Sequence, residues 1–265
     1  MPTKKMPLLL TSSVIAYDHG VALKDTDERI RLAINSIDQW LRIDPTLSIV
    51  LCDGSSFDFS ELVANRFPTA RIECLPFEND QQKVSLFGRG YGEGEIVRHA
   101  LNHSKFIDDA GAFAKCTSKL WVENFSQCLQ SWNGSFLCKG VFKNVFSPFR
   151  ETEISYIDTR FYVTSTSFYR EHFADAHLAI GETQGFGLED SFLKVVLQNN
   201  LKKILFDVAP VICGVGGGIG KYYKNTLTRR LKEDLRLYLV QSNRRFQNLF
   251  SCGESSIERP MALDP

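Results

Sequence analysis

The stretch LSIVLCDGSS, residues 47–56, decides the fold class. Its first six residues are mostly apolar, and an acidic and three small residues then end the run. A short apolar run bounded by turn residues predicts a buried strand that ends just before Asp53. Because Asp-Gly is also common in plain turns, Asp53 is either a ligand contact or a turn residue.

Similar strands are predicted on both sides of this stretch, with helices between them. The segments LLLTSSVIA (residues 8–16) and ARIECL (70–75) predict two more buried strands. Residues 25–41 and 59–66 predict helices, since the former has apolar residues at helical spacing. Alternating strands and helices are typical of a parallel sheet with crossover helices, and such sheets bind ligands at the carboxyl ends of their strands.

The rest of the chain continues this pattern. Further strands are predicted over 136–142, 155–164 and 204–212, and helices over 95–103, 191–199 and most of 222–250. Residues 114–129 predict either a helix or a strand-helix unit. The predicted fold is therefore α/β, with a mostly parallel central sheet flanked by helices and a helical C-terminal tail, in a single domain of 265 residues.

Charge and cysteine usage exclude several classes of protein. Basic and acidic residues number 31 each, so no global field draws the chain onto nucleic acid. The seven cysteines include no CxxC pair, which argues against a zinc site or disulfide framework and favours a reducing, cytoplasmic compartment. No run approaches the ~20 apolar residues of a membrane span, and the short apolar run after Lys5 does not fit a signal peptide.

The glycine-rich stretch GRGYGEGE, residues 88–95, is a candidate phosphate site. Glycines let backbone N–H groups approach an anion, and Arg89 adds a positive charge. The stretch is not a Walker A loop, because no Gly-Lys-Ser/Thr ends it. Arg89, Gly90 and Glu93 are candidate substrate contacts, although Glu93 would repel a phosphate placed too close. A flexible connector is the alternative.

Two further segments combine charges with hydroxyl groups. The segment FAKCTSKLW holds Lys115, Thr117 and Lys119. Both lysines can point at one anion if the segment is a strand end and a turn, and otherwise they form a solvated basic face. Asp158 and Arg160, two residues apart, form either a structural ion pair or a substrate contact.

Two late segments are candidates for catalysis and substrate binding. Glu189 and Asp190 follow glycines at a predicted helix start, where a carboxylate is either a general base or a complement to the helix dipole. The segment GVGGGIG, residues 214–220, has five glycines in seven positions. It predicts a substrate-facing loop with Gly217 and Tyr222 as candidate contacts, or a lid that makes none.

Taken in chain order, these motifs resemble bacterial GT-A-type glycosyltransferases of polysaccharide or lipopolysaccharide synthesis. The resemblance covers residues 8–225 and follows the order LTSS, LCDGS, GRGYGEGE, FAKCTSKL, DTRFY, LEDSF and the late glycine loop. It implies transfer of a sugar from a nucleotide-sugar donor to a glycan or lipid-linked acceptor. It also implies a nucleotide-binding half over 8–110, an acceptor and catalytic half over 111–220, and a basic helical tail over 221–265.

The resemblance also implies roles for particular residues. Asp53 would contact the nucleoside, the glycine-rich stretch would border it, and Asp190 or Glu189 would be the catalytic base. The family's Asp-x-Asp metal motif is missing, because the corresponding region reads KCTSK. We therefore expect Lys115 or Lys119 to stabilise the diphosphate leaving group instead, with Mn²⁺ or Mg²⁺ as the alternative. Direct displacement would invert the anomeric centre, and a retaining outcome stays open.

The basic tail and the missing motif leave other interpretations open. The tail can lie on an anionic membrane surface, at the inner face of the inner membrane, or form a solvated helix face. A noncatalytic nucleotide- or glycan-binding protein with a degenerate GT-A fold is the main alternative to an enzyme. A nucleotidyltransferase shares the sheet, but residues 11–20 offer no basic glycine-rich loop.

Overall fold

A computed structural model describes residues 5–181, 185–218, 220–223 and 225–250. Its strands are β1 (Leu8–Ser12), β2 (Ser48–Asp53), β3 (Arg71–Pro76), β4 (Ala112–Thr117), β5 (Leu120–Val122), β6 (Phe136–Lys143), β7 (Glu153–Ser165), β8 (Ile212–Gly216) and β9 (Lys221–Tyr223). Six of them form a central sheet in the order β3-β2-β1-β4-β7-β6. The first four are parallel, whereas β7 and β6 are antiparallel to their neighbours. The predicted mostly parallel sheet is confirmed.

Helices cover both faces of this sheet. They are α1 (Thr26–Ile43), α2 (Ser60–Arg66), α3 (Gln81–Phe87), α4 (Arg89–His103), α5 (Lys105–Ala110), α6 (Phe125–Gln130), α7 (Thr166–His172), α8 (Leu188–Gln198) and α9 (Leu227–Gln241), with short 3-10 helices at Ala176–Ala179 and Gln247–Leu249. The predicted helical tail is confirmed in α9. None of the helices within the described ranges is long and apolar enough to span a bilayer.

The sheet is buried on both faces, which explains its near-continuous apolar strands. In β1, Leu9 packs into one cluster with Val97 of α4. The neighbouring Leu8 and Leu10 point to the opposite face and pack with Trp40 of α1. Each such side chain stabilises the fold by about 1.5–3 kcal/mol through burial. The two layers hold the carboxyl ends of β1 and β4 side by side.

Two predicted segments have a different structure. Residues 114–129 are a strand-helix unit rather than one helix, since they contain most of β4, then β5 and α6. The predicted strand over 204–212 is wrong, because only its last residue belongs to a strand, β8, which pairs with β5 and β9 in a second sheet. Leu205 makes isolated bridges to Cys138 and Phe250 and is buried. Its apolar run reflects packing of an irregular segment against β6.

The glycine-rich stretch over 88–94 is also not a loop, because α4 begins at Arg89 and includes its later glycines. A Cβ on Gly94 would lie 2.3 Å from the Cβ of His177, and one on Gly90 would lie 3.1 Å from the first residue of α8. These glycines therefore let the 3-10 helix and α8 pack closely against α4. The predicted phosphate site over this stretch therefore falls at the N-terminal turn of a helix rather than in a loop.

Candidate functional site

A cleft of about 680 Å³ opens at the carboxyl ends of β1 and β4. Its walls come from the end of β1, the first half of α4, the β4–β5 turn, β7, the first turn of α8 and the β8–β9 loop. Both its place in the sheet and its volume are typical of small-molecule sites. The cleft brings together most of the predicted site residues: Arg89, Gly90, Glu93, Thr117, Lys119, Asp158, Arg160, Glu189, Asp190 and Gly217.

Asp53 lies outside the cleft lining and is only 1% exposed. Its carboxylate accepts hydrogen bonds from the backbone N–H groups of Val14, at 3.0 Å, and Ser55, at 2.8 Å. The Ser55 hydroxyl donates a further bond at 2.6 Å. These bonds join the turn after β2 to the end of β1. The structure therefore favours the turn role for Asp53.

Lys115 also lies outside the cleft lining, because β4 points its side chain into the protein. It is fully buried and forms an ion pair with Glu93 of α4. Its ammonium also donates to the carbonyl oxygen of Thr159, at 2.8 Å, and to the hydroxyl of Thr117, at 3.0 Å. Lys115 therefore ties β4 to α4 and β7. It is not available to a diphosphate in the cleft.

Lys119 and Arg29 form a pair of buried cations that line the cleft. Lys119 donates to the Ser118 hydroxyl at 3.1 Å, and Arg29 donates to the carbonyl oxygens of Ser13, at 2.7 Å, and Leu23, at 2.8 Å. All these acceptors are neutral, although the charge of the Asp53 carboxylate also acts on both cations and favours their charged forms. Burial lowers the pKa of Lys119 to about 7, and the Arg29 charge acts in the same direction. Buried cations with neutral partners are costly, so this pair suits an anionic ligand.

The β4–β5 turn holds Lys119 in a strained backbone conformation. Lys119 has a φ of 75°, in the left-handed region, which costs on the order of 1 kcal/mol for a residue other than glycine. The Ser118 N–H donates to the Thr11 carbonyl oxygen at 2.8 Å, and the Val215 N–H donates to the Lys119 carbonyl oxygen at 3.0 Å. A Cβ on Gly214 would lie 2.1 Å from that same oxygen. Neighbouring strands thus fix the turn from both sides.

The β8–β9 loop forms one rim of the cleft and makes contacts, unlike a free lid. A Cβ on Gly217 would lie 3.3 Å from Cε of Lys119, and one on Gly218 would lie 2.7 Å from Cζ of Arg89. The Ala22 N–H donates to the Gly218 carbonyl oxygen at 3.1 Å. The loop backbone therefore lies directly against two cations, and a side chain at either glycine would displace the end of a cation's side chain.

Tyr222 is the third predicted residue outside the cleft lining. It is 57% exposed and faces Trp121, with ring centres 6.5 Å apart. The next residue along β9, Tyr223, points into the cleft instead, because side chains alternate along a strand. The Tyr223 ring centre lies 5.0 Å from the guanidinium carbon of Arg160.

Asp158 and Arg160 on β7 form an ion pair in the cleft wall. The Arg160 Nε donates to Oδ1 of Asp158 at 2.8 Å. Burial opposes ionisation of Asp158, but the hydrogen bonds and charge of Arg160 lower its pKa overall. Asp158 therefore stays ionised and holds Arg160 in place, which makes it a positioning group rather than a base.

Glu189 and Asp190 lie in the first turn of α8, which begins three residues earlier than predicted. The Asp190 carboxylate accepts a bond from the Gly187 N–H at 2.9 Å and thereby caps the helix. Burial raises the pKa of Glu189, and the negative charges of Glu93 and Asp158 act in the same direction. A carboxyl group with a raised pKa is better matched to proton transfer near neutral pH, so Glu189 is the stronger base candidate.

Three of the carboxylates that line the cleft already have partners within the protein. Glu93 is paired with Lys115, Asp158 is paired with Arg160, and Asp190 caps a helix. Among the described residues, no group of three or more histidine, cysteine, aspartate or glutamate side chains is placed to hold a metal ion.

A second cavity, of about 730 Å³, adjoins the cleft. The two share Tyr156, Arg160 and Tyr223, so these side chains form the partition between them. On its far side the second cavity is lined by α6 and α9. The molecule thus offers two adjacent binding spaces.

Arg29, Tyr156 and Tyr223 are cleft residues that the sequence did not identify. Arg29 had a signal, because it stands at a buried position of α1, four residues before Ala33. A charge at a position where helical spacing predicts a core residue indicates a function or a buried partner. The two tyrosines had no such signal, since other tyrosines of the same strands, Tyr162 and Tyr222, lie outside the cleft lining.

No protein-family model matches the sequence, and no curated protein does. Among solved structures, HddC from Yersinia pseudotuberculosis aligns over 81% of this chain and 95% of its own, with 12% identity and a TM-score of 0.42. Galactosyltransferase LgtC, in complex with donor and acceptor sugar analogs, aligns over 72% and 70%, with 8% identity and a TM-score of 0.45. 4-Diphosphocytidyl-2C-methyl-D-erythritol synthase aligns over 89% and 98%, with 13% identity and a TM-score of 0.40. At these values none of them bears on activity, and function is inferred from the cleft.

Proposed function

We propose that this protein transfers a sugar from a nucleotide-sugar donor to a glycan or glycolipid acceptor in cell-surface polysaccharide synthesis. One observation carries the proposal. A single cleft is lined by two buried cations whose hydrogen-bond acceptors among the described residues are neutral and, on a separate wall, by a carboxyl group whose pKa is raised. The cations suit a diphosphate, and the carboxylate suits a general base.

The reaction is a direct displacement at the anomeric carbon. Glu189 removes the proton from an acceptor hydroxyl, and the oxygen forms a bond to the anomeric carbon. The bond from that carbon to the donor diphosphate breaks, and the nucleoside diphosphate leaves with the electron pair. Attack opposite the leaving group inverts the anomeric centre.

The cations stabilise the negative charge that builds on the leaving group. Lys119 and Arg29 are already fixed by the β4–β5 turn and α1, so they need little rearrangement during the reaction. Arg89 adds a third charge at the rim, where its main-chain N–H also donates to Asp18 at 3.2 Å. In this proposal the cations do the work that a metal ion would otherwise do.

The second cavity suits the acceptor. It meets the donor cleft at Tyr156, Arg160 and Tyr223. The charge of Glu189 also raises the pKa of Tyr156, after burial and Asp158, so the two side chains are near one another. An acceptor entering from the second cavity would thus bring its hydroxyl toward the proposed base.

Glu189→Gln tests this assignment. A donor is first found by thermal shift across nucleotide-sugars, since a ligand that binds the native state raises stability. We expect the rate of nucleoside diphosphate release to fall by about 10²-fold or more, because the amide cannot take the proton. Donor affinity should stay nearly unchanged.

Asp190→Ala is the matched control one residue away. It removes a helix cap worth about 1 kcal/mol, so stability should fall while turnover is retained. Normal turnover in Glu189→Gln with lost turnover in Asp190→Ala would reverse the assignment. Donor binding without any release of nucleoside diphosphate by the wild type would favour the noncatalytic binding protein.

A further inference from the structure

The helix α9 has its apolar face turned away from the protein. Large apolar residues recur every three or four positions and form one stripe: Leu227, Leu231, Leu235, Tyr238 and Leu239. Their exposed fractions run from 38% to 79%. The opposite side of the helix carries Glu233, which bonds Lys139 of β6 at 2.8 Å. In an ordinary surface helix the apolar face would be the one packed on the core.

The hairpin between β6 and β7 extends this apolar surface. Phe146 is 46% exposed and Phe149 is 94% exposed. The ring centre of Phe146 lies 5.9 Å from Nζ of Lys232 and 5.6 Å from Cζ of Arg236, both on α9. The hairpin and the helix are therefore neighbours. We call the stripe on α9 together with Phe146 and Phe149 the apolar face.

Basic side chains flank the apolar face, although the whole chain has no net charge. Residues 225–250 contain six basic side chains and two acidic ones, and three of the basic ones, Arg230, Arg236 and Arg245, form ion pairs with glutamates. Lys232 lies against the ring of Phe146, and Arg150 follows Phe149 directly. Exposed leucine and phenylalanine edged by lysine and arginine is the composition of helices that lie in the headgroup region of a membrane.

We propose that the apolar face docks on the surface of an anionic lipid bilayer. The leucine and phenylalanine side chains enter the boundary between headgroups and acyl chains, and Lys232 and Arg150 contact lipid phosphates. A second copy of this chain fits less well, because a two-fold contact would place the positively charged edges of two copies near each other.

Docking through this face would also orient the molecule. The inward side of α9 lines the second cavity, so that cavity would lie close to the lipid surface. A lipid-linked acceptor could then reach it without leaving the bilayer. The docking inference does not rest on the proposed transfer, since it concerns only the outer side of α9 and the hairpin.

The test is flotation of the full chain with phosphatidylcholine vesicles, with and without phosphatidylglycerol. We expect binding that requires phosphatidylglycerol and weakens with added salt. In Leu231→Glu/Leu235→Glu the bound fraction should fall at least about tenfold, because two inserted side chains become charged. The matched control is Leu62→Glu/Leu197→Glu, which changes two exposed leucines on other helices and should bind as wild type does.

Several results would overturn the inference. One is failure of the wild type to float with anionic vesicles, and another is equally good binding to vesicles without phosphatidylglycerol. A third is a control variant that loses as much vesicle binding as Leu231→Glu/Leu235→Glu. A dimer that Leu231→Glu/Leu235→Glu abolishes, without vesicle binding, would assign the face to a second copy. An unchanged thermal unfolding temperature would show that the variant is folded. The result does not depend on whether the protein transfers sugar from a soluble donor.

Discussion

Lys115 and Lys119 are two buried lysines of one short segment, and their surroundings differ. The β4 strand points Lys115 into the protein, where Glu93 pairs with it. The turn after β4 points Lys119 into the cleft, where its hydrogen-bond partner is a hydroxyl group. Burial alone therefore does not distinguish a structural lysine from a binding lysine. The partner does, because a paired charge is already satisfied and an unpaired one is poised for a ligand.

Glu93→Gln gives the largest expected effect, because it removes the charged partner of Lys115. Breaking a buried ion pair typically costs about 3–5 kcal/mol of folding free energy. We expect the lower end, since the Glu93 side chain is 20% exposed and solvent can offset part of the loss. Urea unfolding at neutral pH measures the change.

The double variant Lys115→Met/Glu93→Gln is the control for this effect. With both charges gone, no buried charge is left without a partner, and stability should recover most of the loss. A Glu93→Gln variant as stable as the wild type would show that the two buried lysines do not differ in the way the structure indicates.

Unlike Glu93→Gln, Lys119→Met should affect ligand binding and not reduce stability. Burial and the charge of Arg29 disfavour the Lys119 ammonium, and the charge of Asp53 offsets this only in part, so its removal should leave stability unchanged or raise it. Binding of a nucleoside diphosphate should weaken by about 10- to 100-fold, since a hydrogen bond to a charged group contributes about 1.5–3 kcal/mol. Isothermal calorimetry measures the affinity, and unchanged affinity in Lys119→Met would contradict the site.

The sequence predicted the sheet and its crossover helices because each depends on local pattern. Apolar runs ended by turn residues identified β1, β2 and β3, and helical spacing identified α1. The glycine-rich helix was misread, because Gly90 and Gly94 serve contacts with α8 and His177 that lie far away in the sequence. A glycine that makes room for a neighbour looks the same in sequence as one that exposes its backbone.

The candidate site was partly predictable for the same reason. Glu189 and Lys119 stand out because a charge follows a strand or begins a helix. The different roles of Glu189 and Asp190, and of Lys119 and Lys115, could not be predicted. They depend on the direction in which each side chain leaves the first turn of α8, and on whether the lysine lies in β4 or in the turn after it. Arg29 could be recognised in the sequence as a charge on the buried side of α1. Its position near Lys119 could be seen only in the structure.

We expect the affinity for an anionic ligand to depend on pH through Lys119. The pKa of Lys119 is lowered to about 7, so the free protein loses this charge as the pH rises through that value. A bound anion favours the protonated form, and binding must then take up a proton. Affinity for a nucleoside diphosphate should therefore fall by roughly tenfold between about pH 7 and 8.5. Calorimetry in two buffers with different ionisation enthalpies measures the proton uptake, and Lys119→Met should show none from this group.

Gly217→Ala gives the smallest expected effect. Comparison with Gly94→Ala distinguishes a glycine that faces the ligand from one that makes room for a packed neighbour. Its Cβ would lie 3.3 Å from Cε of Lys119, which the lysine side chain can relieve by a small shift. Stability should change by less than about 0.5 kcal/mol, while ligand affinity falls a few-fold because the shift moves the ammonium. In Gly94→Ala the new Cβ would lie 2.3 Å from the Cβ of His177, so stability should fall by about 1–3 kcal/mol through overpacking. If Gly217→Ala lost stability to the same extent, the loop would be a packing element like α4 and not a surface for the ligand.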